Sequence, residues 1–289
     1  SNYKKALKIR PNYAEAHNNI GICLNKINKT KEAIQNYRKA IKFNPNYAEA
    51  FNNLGLSLYD IELVEDAIFN FKKAIKINPD FAQAYNNIGM ALKYKGLIKE
   101  SIYNYKKALK VDPKYSQAYN NLGIAFYSDG KVLESINSYK QAIKYKPDFE
   151  HAYFNLGNTL KKIIFKEPNP VLLNLIERLI DYQTLIRPKD IVKTAISLLK
   201  FDPKIITIFK KHSEGNLGSF LEEVIFILSD IKVLLKFMSI CPIPDLDFEA
   251  LFKKIRSEIL FSVETFKKNK KLFDVQKALA LQCYTNEYI

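Results

Sequence analysis

The sequence predicts an all-α protein: an α-solenoid of stacked helix pairs over residues 1–165, followed by an all-helical region over 166–289. Prolines at 11, 45, 79, 113 and 147 recur at a constant interval of 34 residues, and a fixed period of that size marks stacked supersecondary units. Glycines at 21, 55, 89, 123 and 157 and alanines at 6, 40, 74, 108 and 142 keep the same register. A composition of 47% hydrophobic and 26% charged residues with only 9 Gly fits a folded helical chain and excludes a collagen-like or disordered one.

Each period reads as two helices. The first carries Ala-x-Ala-(aromatic or His)-x-Asn-(Ile/Leu)-Gly, at 14–21, 48–55 and 82–89. The second is amphipathic, with apolar residues in one unit at Ala67, Ile68, Phe71, Ala74, Ile75 and Ile77. The proline then ends it, because its ring can open a helix but not continue one. Glycine inside a helix costs about 1 kcal/mol relative to alanine, so its recurrence requires a steric benefit. Gly55 and Ala67 are expected to let the paired helices approach closely, with Phe51 and Phe71 filling the space between them and the next unit. In this register there is a trailing half unit (Tyr3, Ala6, Pro11), full units at 14–47, 48–81, 82–115 and 116–149, and a fifth leading helix near 150–164. The chain opens in mid-unit without an initiator methionine, so residue 1 is read as an internal position of something longer.

These residues resemble the tetratricopeptide repeat family, whose 34-residue signature has an aromatic, a Leu-Gly pair, a second aromatic, two spaced alanines and a terminal proline. The customary tryptophan stands here as His17, Phe51, Tyr85, Tyr119 and Tyr153, and one core alanine as Ser101 and Ser135. The resemblance implies a right-handed superhelix whose first helices line a concave face that binds a protein or peptide. On those helices the recurrent residues are asparagines. Asn19, Asn53, Asn87, Asn121 and Asn155 precede the Ile/Leu-Gly pair, and Asn18, Asn52, Asn86 and Asn120 stand beside them. An amide both donates and accepts, so a ladder of them can hold an extended peptide by its backbone. In this they are similar to the repeats of O-linked N-acetylglucosamine transferases. The competing role for the amides is to tie adjacent repeats together. Leu56, Tyr59, Met90, Tyr94, Ile124, Tyr127 and Phe154 are expected on the same wall, as apolar anchors or as packing between helices, and Tyr59, Tyr94 and Tyr127 join the asparagines as expected peptide contacts. The Lys/Asn/Arg set with which some relatives clamp a C-terminal carboxylate is not found.

The net charge is +15, most of it within the first 165 residues. It is concentrated on the second helices, at Lys4, Lys5 and Lys8; Arg38, Lys39 and Lys42; Lys72, Lys73 and Lys76; Lys106, Lys107 and Lys110; and Lys140 and Lys144. This ridge reads as the solvated convex face, the alternatives being docking on nucleic acid or on an anionic membrane surface. No stacking platform or groove-reading motif is recognised beside it.

After Phe165 the period stops at Lys-Glu-Pro-Asn-Pro. Segments 170–186, 189–200, 203–213, 218–240, 246–268 and 270–288 read as amphipathic helices, a capping or linker region for the solenoid, whose terminal apolar face must be covered. Within them, Cys241-Pro-Ile-Pro-Asp-Leu-Asp-Phe-Glu-Ala-Leu-Phe and Leu279-Ala-Leu-Gln-Cys-Tyr-Thr-Asn-Glu-Tyr-Ile resemble the helical segment that leads into an S-adenosylmethionine-dependent methyltransferase domain in some bacterial repeat proteins. That resemblance implies an alternative function, the non-catalytic substrate-targeting part of a larger protein-modifying enzyme, either such a methyltransferase or an O-GlcNAc-type glycosyltransferase. The catalytic domain would then lie beyond Ile289.

No catalytic residue, cofactor or metal is expected in the chain itself. His17, His151 and His212 have no carboxylate or cysteine at ligand spacing, and no GxSxG, phosphate-binding loop or GxGxxG occurs. Glu222-Glu223 reads as a solvated helix face and Asp245/Asp247 as a helix start. Cys23, Cys241 and Cys283 are far apart, which fits a reducing, cytoplasmic setting rather than a disulfide framework. The most apolar run, 224–240, is interrupted by Asp230, Lys232 and Lys236, so no transmembrane segment is expected.

Overall fold

A computed structural model describes residues 2–161, 163–181, 186–215, 217–261 and 270–287. The chain divides into two units, 1–149 and 150–289. The first begins with α1 (Asn2–Ile9) and continues with the pairs α2 (Ala14–Lys26) and α3 (Thr30–Phe43), α4 (Ala48–Asp60) and α5 (Val64–Ile77), α6 (Ala82–Tyr94) and α7 (Ile98–Val111), and α8 (Ser116–Ser128) and α9 (Val132–Tyr145). The two helices of a pair pack along their lengths, each second helix packs on the first helix of the next pair, and successive first helices touch. This is the superhelical solenoid the period predicts.

Local chemistry sets each joint. Asn44, Asn78 and Asp112 precede Pro45, Pro79 and Pro113, and their side chains accept hydrogen bonds from the backbone N–H two residues on, at 3.1, 3.1 and 3.0 Å. Their carbonyls accept from Tyr47, Phe81 and Tyr115, at 3.2, 3.3 and 3.2 Å. The proline sits second in the turn, where its fixed φ is already the required one. The turn inside each pair is different. It places Asn28, Glu62, Gly96 and Gly130 in the left-handed region, at φ of 58°, 63°, 77° and 75°. The following N–H then closes on a carbonyl five residues back, as Leu63 does on Leu58 at 2.9 Å. Glycine takes this conformation without strain, and Glu62 does not.

The glycines of the first helices face rings. A methyl group added at Gly21, Gly55, Gly89 or Gly123 would lie 2.5, 2.6, 2.6 or 2.5 Å from Tyr37, Phe71, Tyr105 or Tyr139 respectively. All four rings are buried, as are Ala33, Ala40, Ala67, Ala74, Ala108 and Ala142 around them. The expected close approach is therefore ring against helix backbone, and Phe51, expected as filler, is only half-buried.

In the second unit, α10 (Glu150–Leu160) packs on α11 (Pro170–Asp181) and α12 (Pro188–Leu199). Gly157 meets Ile186 and Leu179 in place of a ring. The fifth leading helix, α10, thus belongs by its contacts to the unit that contains α11 and α12. The irregular segment after α10 is pinned by buried Thr194, whose hydroxyl lies 2.6 Å from the Leu160 carbonyl and 2.8 Å from that of Ile163, while Ser197 accepts from the Phe165 N–H at 3.0 Å. Then follow α13 (Pro203–Ser213), a 3-10 turn (Leu217–Phe220), α14 (Leu221–Ser229), α15 (Lys232–Ile240), α16 (Leu246–Phe261) and α17 (Lys270–Glu287). The single helix read over 218–240 is broken. Asp230 and Ile231 turn back on Ile227 and Leu228, which lets buried apolar residues of both α14 and α15 face α17. The helices read at 170–186, 246–268 and 270–288 run partly into 182–185, 262–269 and 288, which lie outside the described residues.

Replacing Gly89 by Ala forces a methyl group against the Tyr105 ring and is expected to lower stability by about 1–3 kcal/mol, read from urea denaturation. Glu62→Gly is expected to raise it by about 1 kcal/mol by relieving the left-handed strain; an unchanged or lower denaturation midpoint would contradict this account of the turn.

Candidate peptide-binding face

The asparagine pairs lie where successive first helices meet. Asn18, Asn52, Asn86 and Asn120 are 3, 6, 2 and 3% exposed. The Asn53 Nδ2 donates to Asn18 Oδ1 at 3.0 Å, Asn87 to Asn52 at 2.8 Å and Asn121 to Asn86 at 3.0 Å. A longer contact of 3.5 Å from Asn86 Nδ2 to Asn87 Oδ1 links two of these rungs, and Gln117 donates to Asn121 at 3.3 Å. Asn18, Asn52 and Asn86 are covered and engaged by the neighbouring repeat, the tie between repeats that the sequence left open beside peptide contact, because a donor one position past a whole repeat lies directly over its acceptor. Asn87 and Asn121 are buried as well, and only Asn19 and Asn53 in the first unit stay half-exposed. Asn155, on α10 in the second unit, is half-buried and engaged in interactions of its own. A buried amide stripped of its partner costs about 1–3 kcal/mol, so each rung specifies the register between repeats.

The tyrosines behave differently. Tyr94 and Tyr127 are 59% and 53% exposed, and the half-buried Tyr59 meets Tyr94 edge to face with ring centroids 5.8 Å apart. Burial raises the Tyr59 phenol above its ordinary pKa, Tyr94 adding to the effect. Leu56, Met90 and Ile124 lie half-buried on the same helices, Leu56 and Met90 packed against the core beneath. Phe154 is exposed on α10 of the second unit. Sequence reading passed over Phe69 and Tyr103, 58% and 60% exposed on second helices, although both stand one turn before a lysine pair.

His17 packs as the missing tryptophan would, its Nε2 3.1 Å from the Pro11 carbonyl, its Nδ1 3.3 Å from Asn36 and its ring stacked on Phe43. Cys241 is buried, which pushes its thiol up to about 11, while Cys23 is exposed. No cluster of three His, Cys, Asp or Glu that could hold a metal occurs among the described residues, and no described helix is long and apolar enough to cross a membrane. The second half of the methyltransferase-like motif, from Cys283 to Ile289, falls where side chains lie outside the described residues.

Family profiles match along the repeats. One described as TPR repeat covers 24–61, 91–130 and 125–163, and two described as tetratricopeptide repeat cover 48–81 and 2–35. The chain is a tetratricopeptide-repeat protein. Among solved tetratricopeptide-like structures similar to it, MamA shares 28% identity over 50% of this chain and 85% of its own, with a TM-score of 0.46. YrrB, described as a TPR protein with an unusual peptide-binding site, shares 20% over 64% and 93%, at 0.48. MamA from Desulfovibrio magneticus RS-1 shares 17% over 66% and 97%, at 0.47. No curated protein sequence matches the chain.

If the rungs between tetratricopeptide repeats are structural, Asn52→Ala strands the Asn87 amide and lowers stability by about 1–3 kcal/mol. The Asn52→Ala/Asn87→Ala double variant should lose clearly less than the two single losses added together. Additive losses in the denaturation cycle would show that the pair is not coupled.

Proposed function

We propose that the repeats bind an extended segment of a partner protein along the first-helix face, anchored by Tyr59, Tyr94 and Tyr127. What carries this reading is the set of phenols on successive first helices, Tyr94 and Tyr127 exposed and Tyr59 half-buried, beside half-buried Leu56, Met90 and Ile124. A tyrosine offers a wide apolar face, a hydrogen-bonding tip and few torsions to freeze, the properties that make it a common interface anchor. The asparagine rungs support the reading indirectly. By fixing the helices in constant register they hold the phenols in place before a partner arrives, which lowers the ordering cost of binding. Asn19 and Asn53 are the amides left half-exposed for the backbone of such a segment. With no Lys/Asn/Arg carboxylate clamp, recognition of an internal segment is favoured over that of a chain terminus.

The test is a quantitative pull-down with the full chain and its Tyr59→Ala/Tyr94→Ala/Tyr127→Ala variant. Partners captured by the natural chain should bind the variant at least tenfold more weakly, with the melting temperature preserved. Equal retention by both proteins removes the proposal.

A further inference from the structure

The outer ends of the helix pairs carry a repeated two-ring position. At one register His17, Phe51, Tyr85 and Tyr119 begin the first helices, and at another Phe43, Ile77, Val111 and Tyr145 end the second helices. Where both are rings they stack. His17 and Phe43 lie 5.5 Å apart at 27°, and Tyr119 and Tyr145 lie 5.7 Å apart at 19°. In the two repeats between them the second ring is replaced, by Ile77 and by Val111, and in the first of these a cleft of about 710 Å³ opens, lined by Pro45, Asn46, Phe51, Lys73, Lys76 and Ile77. Its volume is within the roughly 300–1,000 Å³ of small-ligand sites.

Two lysines border that cleft, and they belong to a ridge without counter-charges. Among the described residues no ion pair involves Lys72, Lys73, Lys76, Lys106, Lys107 or Lys110, whereas in the second unit Lys200 meets Asp245 and Lys236 meets Asp181, each at 2.8 Å. The helix sequences explain the contrast: α5 and α7 hold their carboxylates in the first turn, at Glu65, Asp66 and Glu100, while the ridge lysines lie in the C-terminal half, Lys76 and Lys110 in the last turns. Beside the ridge stand the exposed rings of Phe69 and Tyr103, with the Lys73 and Lys107 ammonium groups 5.3 and 5.4 Å from their centroids. Cations alternating with exposed aromatic rings are what a chain of phosphates and bases requires.

We propose that this cleft and the ridge beside it bind single-stranded nucleic acid. A base lies on the Phe51 ring, in the place that Phe43 and Tyr145 fill in their own repeats, and the adjoining phosphates rest on Lys73 and Lys76. Phe69 and Tyr103 offer further stacking faces. A base-sized cleft with a ring in it, beside the lysines, suits a nucleobase and its phosphates better than the headgroups of a bilayer.

Fluorescence anisotropy of a short labelled oligouridylate with the full chain tests this. Binding is expected at about 50 mM salt and should fall steeply toward about 200 mM. Lys73→Gln/Lys76→Gln should weaken it about tenfold and reduce the logarithmic salt slope by about 1.4, the value for two lost phosphates on a single strand. Ile77→Phe keeps the charge but closes the cleft with the chain's own ring, and should weaken binding about tenfold with the slope unchanged. Three results would overturn the proposal: no binding at low salt, an Ile77→Phe variant that folds and binds like the natural chain, or capture of phosphatidylglycerol vesicles without the oligonucleotide. Should Ile77→Phe fail to fold, the lysine variant and its salt slope still decide.

Discussion

Everything in the first unit depends on an aromatic ring laid against a glycine. Tyr37, Phe71, Tyr105 and Tyr139 each occupy the space that a methyl group at Gly21, Gly55, Gly89 or Gly123 would take. This contact fixes how closely the two helices of a repeat approach, and it is dry, since the rings and the alanines around them are buried. Interiors this tightly filled do not deform gradually. Because the same contact recurs in every pair, the repeats are congruent, and congruent repeats are what allow any residue to form a row. Where it lapses, at Gly157 with Ile186 in place of a ring, the helices that follow pack in a different pattern.

The asparagines are the polar counterpart of that contact. Apolar packing tolerates small slips along a helix, whereas an amide pair with one donor over one acceptor does not, and a buried amide without a partner is costly. Rungs such as Asn87 to Asn52 therefore convert approximate stacking into a defined offset between repeats. The tyrosines inherit this order. Tyr94 and Tyr127 stand in solvent on helices whose positions are already settled beneath them.

Much of this was legible in the chain itself. The 34-residue spacing of prolines placed the joints, because proline, Asx turn and helix end are all local chemistry. The role of the asparagines was harder to read. A column of amides on one helix face has the same pattern whether it meets a ligand or the neighbouring helix, and only the lateral offset between helices, a tertiary quantity, decides. The helix pair within 218–240 was concealed for a related reason. Its apolar residues keep helical spacing across Asp230, and no proline or glycine marks the break. Phe69 and Tyr103 were passed over because an aromatic on an amphipathic helix usually marks the core, and here both lie outside it.

The offset of the rungs also bears on how such an array can change in length. Every acceptor in the earlier column is an asparagine and every donor is the asparagine one place further on in the next repeat. Excising residues 48–81 would bring Asn87 over Asn18, a partner chemically identical to the one it lost. Copy number can thus vary by whole modules without orphaning an amide, while a gain or loss of any other size breaks every rung that spans it.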